Sequence, residues 1–261
     1  MPRLKLTSCQ AFVVLTGGLL SGSSAWTATS PVPALPAATT FTQCESSGTL
    51  GLVAGSSPCS QSDGSGSDDV TFTLLPFAGV SASASVGGDP QDGFSGFATL
   101  DYSFEISGGN TGDQVPLLIF TNLFTSIGGD AYAFSEIVVS AGSISLGSVV
   151  ACQSYGGTCP GDAAADFSGS FGVTVSSGTV DTLQLEVEAS PNPALGPATA
   201  SASADPLIEI DPSFSNAANY SITQSSGVGN ATAAAPEPGT LMLTCCCGLF
   251  LLLARRYLRP A

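Results

Sequence analysis

The clearest regular pattern in this chain is an alternation of apolar and polar residues in the middle of the sequence. From Ala98 to Ile106 every second residue is apolar, and Thr, Asp, Ser and Glu stand between them. Val180 to Ala189 repeats this pattern, and Phe167 to Val175 is a further alternating run. A period of two residues is typical of a β-strand with one buried and one solvent-facing side. Each stretch is therefore predicted to be a half-buried strand.

Two other patterns depart from this simple alternation. Val115 to Phe124 is almost continuously apolar, which predicts a central strand buried on both faces. Ser and Ala alternate over residues 81–85 and 200–204. Side chains this small are expected either on edge strands or where two sheets approach each other closely.

These stretches and further short apolar runs predict roughly ten to eleven strands separated by Gly-rich turns. No segment between residues 43 and 230 shows a convincing helical stripe. We therefore predict an all-β domain over residues 43–230, a two-sheet antiparallel sandwich that is jelly-roll-like. The remaining predicted strands are Val70–Phe77, Ser81–Val86, Tyr132–Val139, Ile144–Ala151, Ala198–Ala204, Leu207–Ile210 and Tyr220–Thr223.

The N-terminal end has the pattern of an export signal. Arg3 and Lys5 precede a short apolar core from Ala11 to Leu20, and the small residues Ser23 to Ala25 follow it. This order is typical of a secretory signal peptide, and the apolar core is too short to span a bilayer. We predict a cleavable signal helix over residues 1–25 and an extended linker, rich in Pro, Ala and Thr, over residues 26–42.

The C-terminal end has the pattern of a short membrane helix. Thr240 to Ala254 contains no charged residue, and an arginine-rich segment follows directly. A helix of this length rises about 22 Å, which suffices if the arginines reach the headgroups of a bilayer core about 30 Å thick. The positive-inside rule places the arginine-rich end in the cytoplasm, so the domain between the two ends is exported. We predict a transmembrane helix over residues 240–254 and a basic cytoplasmic tail over residues 255–261.

The C-terminal residues together resemble a known sorting signal. Residues 231–239 form a linker that contains a Pro-Glu-Pro triplet, and the apolar helix and basic cluster follow in that order. This arrangement is similar to the PEP-CTERM signal of Gram-negative bacteria. The resemblance implies processing by a membrane enzyme of the exosortase type and an association with exopolysaccharide and biofilm production. The same signature is sometimes labelled an ice-binding protein C-terminal domain, a label that concerns the tail and implies no ice binding by the exported domain. The motif residues are Pro236, Glu237, Pro238, Arg255, Arg256 and Arg259.

The charge distribution excludes several classes of function. The basic residues lie only at the two ends: Arg3, Lys5, Arg255, Arg256 and Arg259. Residues 26–235 contain no Lys, Arg or His, yet they carry all 20 acidic residues of the chain except Glu237. Such a surface repels phosphate backbones, so nucleic-acid binding is excluded. It also repels acidic polysaccharides. The simpler alternative to a role of the acidic charge in partner selection is a general role in solubility.

The same composition argues against most enzymes. Without His, Lys or Arg, the exported domain has neither a Ser-His-Asp triad nor a Schiff-base lysine. Two carboxylates suffice to hydrolyse a glycosidic bond, and Asp101 with Glu105 or Glu186 with Glu188 are the candidate pairs. The alternative for both pairs is an ordinary solvated strand face. We therefore assign no catalytic residue, no metal ligand and no cofactor-binding residue.

One acidic segment is a candidate for calcium. Asp63, Asp68 and Asp69 lie in a stretch rich in Gly and Ser that predicts a flexible loop. Calcium prefers hard oxygen ligands, but the spacing is not that of an EF-hand. The alternative is an acidic loop that binds nothing.

Four cysteines lie in the exported domain: Cys44, Cys59, Cys152 and Cys159. An even number in an exported chain favours disulfides, and three pairings are possible. A structural zinc site is the rival interpretation, but the domain has neither a Cys-x-x-Cys motif nor a histidine. Our hypothesis is the local pairing of the first cysteine with the second and of the third with the fourth.

Taken together, the sequence predicts a non-enzymatic component of the cell surface or exopolysaccharide matrix of a Gram-negative-type bacterium. The expected partners are an exosortase-type processing enzyme, the membrane through the C-terminal helix, and exopolysaccharide. One alternative is a carbohydrate-binding or carbohydrate-active module. Another is a calcium-dependent adhesin.

Overall fold

The structure is a computed structural model that describes residues 34–47, 50–89, 93–157, 159–161 and 163–230. The predicted signal peptide, membrane helix and basic tail lie outside these residues. So do the sorting residues Pro236, Glu237, Pro238, Arg255, Arg256 and Arg259. Within the described ranges, no helix combines the length and the apolar character that crossing a membrane requires.

The described chain is built almost entirely of β-strands, which confirms the all-β prediction. Strand β1 begins at Thr39, inside the segment assigned to the linker, because Thr39 to Thr42 pairs with Ala98 to Asp101 of β6. Two short 3-10 turns are Pro193–Leu195 and Ala217–Asn219. The strands are β1 (Thr39–Ser46), β2 (Gly51–Gly55), β3 (Cys59–Ser62), β4 (Gly66–Thr73), β5 (Gly79–Val86), β6 (Phe94–Gly108), β7 (Gln114–Gly128), β8 (Ala131–Ala141), β9 (Ile144–Ser154), β10 (Asp166–Ser176), β11 (Val180–Pro191), β12 (Ala198–Ile210) and β13 (Tyr220–Gln224).

The strands form two antiparallel sheets, as the sequence predicted. Sheet A has the order β2-β1-β6-β11-β8-β9, and β13 pairs with β6 beyond the end of β1. Sheet B has the order β10-β7-β12-β5-β4-β3. From β5 to β12 the chain passes repeatedly between the sheets, so that β6-β11-β8-β9 lies in one and β5-β12-β7-β10 in the other.

The hydrophobic core lies between the two sheets and follows the predicted alternation. Leu100 and Phe104 of β6 and Leu183 and Leu185 of β11 are completely buried. Ile119 of β7, in the opposite sheet, is buried to the same extent. The polar residues between the buried positions of β6 and β11 lie on the outer face of sheet A. The prediction of half-buried strands is therefore confirmed for both.

The prediction that Val115–Phe124 is buried on both faces is wrong. In β7, Val115, Ile119 and Leu123 are buried, whereas Phe120 and Phe124 are 37% and 48% exposed. In a sandwich of two layers, each sheet has one face toward the core and one away from it. The continuous apolar run therefore leaves aromatic side chains on the outer face of sheet B.

The strands of alternating Ser and Ala lie where the two sheets approach closely, and the edge-strand alternative is wrong. Strands β5 and β12 pair with each other in the interior of sheet B, with Ala inward and Ser outward. The Ser135 hydroxyl of sheet A donates across the core to the Ser203 carbonyl of sheet B at 2.7 Å. A Cβ added to Gly96 of sheet A would lie 2.8 Å from Val70 Cγ2 of sheet B. Larger inward side chains would not fit this gap.

Both disulfides have the local pairing that the sequence favoured. Cys44–Cys59 joins β1 of sheet A to β3 of sheet B, with Cα atoms 6.0 Å apart. Cys152–Cys159 joins β9 to the connection that follows it. Two disulfides are consistent with an extracellular or periplasmic location.

The close approach of the sheets predicts an asymmetric response to enlarging two neighbouring residues of β5. Ala82→Leu adds volume where the inward face is packed and should lower the free energy of unfolding by roughly 1–3 kcal/mol. Ser83→Leu adds the same side chain on the exposed outer face and should change it by less than about 0.5 kcal/mol. Urea unfolding followed by circular dichroism compares the two. Equal destabilisation would contradict the tight gap.

Candidate functional site

A groove runs along the outer face of sheet B and follows β12. Its floor changes character along that strand, from hydroxyl side chains through a carboxylate to an apolar residue. Three adjoining concavities of about 270, 180 and 420 Å³ lie along it, and the last two share Asp205. From Thr199 to Leu207 the strand extends about 26 Å, at ~3.3 Å per residue. We call this surface the β12 groove; its floor residues on β12 are Thr199, Ser201, Ser203, Asp205 and Leu207.

The largest of these three concavities lies at the apolar end of the β12 groove. Phe120 of β7 and Leu207 of β12 stand opposite each other in the sheet, and Phe77 reaches the same space from the β4–β5 connection. Phe77 is held there by a β-bridge to Asn230. The Asn230 amide in turn donates to the Ile208 carbonyl at 2.6 Å and accepts from the Ile208 N–H at 2.9 Å. The chain after β13 is thus fastened to the free edge of β12 and positions an aromatic ring over the groove.

A hydrogen-bonded network adjoins this apolar end. Asp205 Oδ1 accepts from the Asn122 backbone N–H at 3.0 Å, and the Ser168 hydroxyl donates to Asn122 Oδ1 at 2.7 Å. Desolvation raises the pKa of Asp205, while hydrogen bonds from the Asn122 backbone and side chain oppose the shift. We call these three residues, from β12, β7 and β10, the Asp205 network.

Hydroxyl side chains line the middle of the β12 groove and its opposite end. Thr71 and Ser81 are joined through their hydroxyls at 2.7 Å, and Ser67 and Ser85 at 3.0 Å. These pairs link β4 to β5 across the outer face. A hydroxyl both donates and accepts, so each member of a pair has capacity for another partner. The β12 groove therefore combines flat apolar contacts at one end with a large number of hydroxyl groups at the other.

The outer face of sheet A carries a cluster of carboxylates instead. Asp101, Glu136, Glu186 and Glu188 lie on three adjacent strands, and Glu186 stands directly opposite Glu136. Desolvation raises the pKa of each. Neighbouring carboxylates raise the pKa of all except Asp101 further, because like charges disfavour ionisation.

The structure brings the predicted carboxylate pairs together only in part. Glu186 and Glu188 lie in one cluster, and Asp101 joins it. Asp101 and Glu105 are four residues apart on one strand, about 13 Å at ~3.3 Å per residue, which exceeds the ~5–9.5 Å of a glycosidase pair. Glu136 was missed because its place in the cluster depends on the pairing of β8 with β11, which no local pattern specifies.

The segment predicted as a flexible acidic loop is a β-hairpin, so that prediction is wrong. Asp63 occupies the turn between β3 and β4 and accepts hydrogen bonds from the N–H groups of Ser65 and Gly66 at 2.8 and 3.2 Å. Asp68 and Asp69 follow on β4 and face opposite sides of the sheet. The three carboxylates therefore do not converge. Within the described ranges, no three acidic, Cys or His side chains are placed to hold a metal ion.

Two of the described acidic side chains, Asp68 and Asp181, are buried at the inner faces of the sheets. Asp68 is 2% exposed and accepts from the Gln61 N–H at 2.8 Å, while its Oδ2 has no hydrogen-bond partner among the described residues. Asp181 is also 2% exposed, and its Oδ2 has no hydrogen-bond partner in the part of the chain that the structure describes. Burial raises the pKa of Asp68 and raises that of Asp181 to about 6. Both side chains are thus easier to accommodate when protonated.

Comparison with known proteins gives no family assignment: no family model matches the chain, and no curated protein matches it.

Asp181 predicts that stability decreases between about pH 5 and pH 7. Its pKa is raised from 3.8 to about 6 in the folded state, so its contribution is present at low pH and is lost as the pH rises through 6. In Asp181→Asn, the difference in free energy of unfolding between these two pH values should become smaller. Urea titrations at both pH values measure it.

Asp211→Asn is the matched control. Hydrogen bonds from Ser213 lower the pKa of Asp211, so this carboxylate contributes to pH dependence only below its ordinary value of 3.8. The control should keep the wild-type difference. An unchanged difference in Asp181→Asn would show that its carboxyl is not responsible.

Proposed function

We propose that this protein is an exported, non-enzymatic component of the cell surface or exopolysaccharide matrix of a Gram-negative-type bacterium. The observation that carries the proposal is a disulfide-linked β-sandwich whose sequence has no Lys, Arg or His between residues 26 and 235. Disulfides persist in oxidising compartments outside the cytoplasm. The lack of basic side chains removes the usual general bases and oxyanion-stabilising groups.

Sorting is proposed from the two ends of the chain. The charged and apolar pattern of residues 1–25 supports export, and the Pro-Glu-Pro triplet with its apolar segment and arginines supports membrane capture and processing by an exosortase-type enzyme. In this proposal residues 240–254 anchor the precursor in the inner membrane. Processing then delivers the domain to the cell surface or matrix.

The strand order supports assigning the sandwich to the jelly-roll class. The paired sets β6-β11-β8-β9 and β5-β12-β7-β10 fit two interleaved Greek keys. Jelly rolls occur in lectin domains as well as in structural proteins. The fold alone therefore does not decide the activity, which has to be inferred from the side chains on the surfaces of the sheets.

Carbohydrate binding is the second candidate function, and the β12 groove favours it. Aromatic and aliphatic side chains with a few polar groups in one concavity are typical of a ligand site.

A carbohydrate-active enzyme has less support, because the carboxylate cluster lines none of the three concavities of the groove. If the protein hydrolyses a glycan, loss of that hydrolysis in Glu186→Gln or Asp101→Asn would favour the carbohydrate-active enzyme. Calcium binding by the native protein in calorimetry would favour an adhesin.

The sorting proposal predicts that the native protein loses both ends and leaves the inner membrane. Replacing Pro236, Glu237 and Pro238 with Ala should trap the protein there, because the processing enzyme no longer recognises it. Intact-mass analysis and cell fractionation measure both effects. The matched control is Pro31→Ala with Pro33→Ala, which changes a similar composition outside the motif and should be processed normally.

Retention of the tail in wild-type protein at the inner membrane would contradict the proposal. The C-terminal segment would then be a plain anchor. The sandwich would be a periplasmic module, and the association with exopolysaccharide would lose its support.

A further inference from the structure

We infer that the β12 groove binds one segment of an uncharged polysaccharide, laid along β12 with a sugar ring against Phe120 and Leu207. The inference rests on the proposed function as a matrix component, and it specifies the chemical class of the ligand and the surface that binds it. Three properties of the groove support it: its charge, its mixture of contacts and its length.

The charge of the groove selects an uncharged ligand. Asp205 is the carboxylate shared by two of the three concavities, and the sequence offers no Lys, Arg or His from residue 26 to residue 235. A uronic acid or sulfated sugar would bring negative charge to a surface without a counter-charge, and repulsion would oppose its binding. An uncharged sugar has no such penalty.

The mixture of contacts fits a sugar ring better than a purely apolar ligand. A pyranose has apolar C–H faces and a rim of hydroxyl groups. Phe120, Phe77 and Leu207 offer apolar surface, and the adjoining carboxylate of Asp205 and amide of Asn122 offer acceptors and donors. A carboxylate has about four acceptor positions and an amide two N–H donors. The contacts within the Asp205 network therefore leave capacity for ligand hydroxyls.

The length of the groove fits a chain better than a single sugar. The three concavities adjoin along about 26 Å of strand at ~3.3 Å per residue. Beyond Asp205 the lining becomes Ser and Thr hydroxyls, which hydrogen-bond to successive sugars without requiring a particular substituent. The apolar end then fixes the position of one ring, and the hydroxyl end extends the contact.

A peptide is a poorer occupant of this surface. Extended peptides usually bind by adding a strand to an unpaired sheet edge. From Thr199 to Ala204, β12 is paired with β5 on one side and β7 on the other, so its backbone groups are occupied. Beyond Ala204 the edge of β12 that faces away from β7 is covered at Ile208 by the Asn230 amide, so the groove offers a peptide mainly side-chain contacts.

The test measures binding of the full-length protein in detergent to a glycan array. The array carries hexasaccharide fragments of neutral glucan, mannan and galactan beside alginate fragments of equal length. We expect binding to at least one neutral fragment and none to alginate. The binding should be insensitive to added salt, since the ligand carries no charge to screen. Phe120→Ala and Asp205→Asn should each weaken it at least about tenfold, as expected for residues at the centre of a binding site.

The matched control is Phe41→Ala, which removes an exposed phenylalanine from the other sheet. It should leave affinity within about twofold, and unchanged melting temperatures in all three variants would show that folding is intact. Binding to alginate, absence of binding to every neutral fragment, or affinity that Phe120→Ala leaves unchanged would overturn the inference. None of these outcomes affects the sorting test, so the two proposals fail separately.

Discussion

The closeness of the two sheets at β5 and β12 is the constraint on which the rest of the structure depends. Alanine on the inner side of both strands lets the sheets come near enough for Ser135 to donate a hydrogen bond across the core to the Ser203 carbonyl. Because side chains alternate along a strand, the residues between these alanines must face outward, and there they are serines. Small outward side chains leave a depression in the outer face along the middle of sheet B, while the larger Phe120 side chain projects from β7 beside it. The pattern that thins the core therefore also forms the floor of the β12 groove.

A second constraint is that every charge in the described part of the domain is negative. No carboxylate there can form an ion pair with another side chain of the described residues, so within them each depends on water, hydrogen-bond donors or protonation. Carboxylates outside the core such as Asp63, Asp113 and Asp211 accept hydrogen bonds, which lower their pKa values. Asp68 and Asp181 are buried, and their pKa values are raised. The Cys44–Cys59 disulfide cross-links the two sheets covalently. The chain-entropy model gives a stabilisation of the folded state of about 3 kcal/mol for a disulfide that closes a loop of ~15 residues.

The local pattern of apolar and polar residues was sufficient to predict the strands, but it was insufficient to predict the groove on the outer face of sheet B. The alternation around Leu100 and Leu185 determines which side of each strand is buried, so both strands and their inward faces could be predicted. The cysteine spacing similarly allowed the local pairing to be favoured over two others. Phe120 was assigned to the core because a continuous apolar run does not show which of its residues face away from the core, and the predicted two-sheet sandwich was not applied to this strand. Asp205 and Asn122 are 83 positions apart and meet only through the pairing of β12 with β7. The apolar run of β7 was the available signal of the groove, because in the predicted two-sheet sandwich half of these apolar residues must lie on an outer face.

The two outer faces of the sandwich differ in a way that bears on how it would sit in a polysaccharide matrix. On sheet A, Glu136 and Glu186 oppose each other among further carboxylates, and this face repels acidic polymer. On sheet B, hydroxyls and exposed phenylalanines dominate the groove, with Asp205 as the carboxylate at its centre. A domain with these two faces would hold an uncharged chain on the outer face of sheet B, while carboxylates on both faces would keep acidic chains away. Its orientation would then follow from the position of the uncharged chain, because residues 26–235 offer no basic side chain to an acidic polymer.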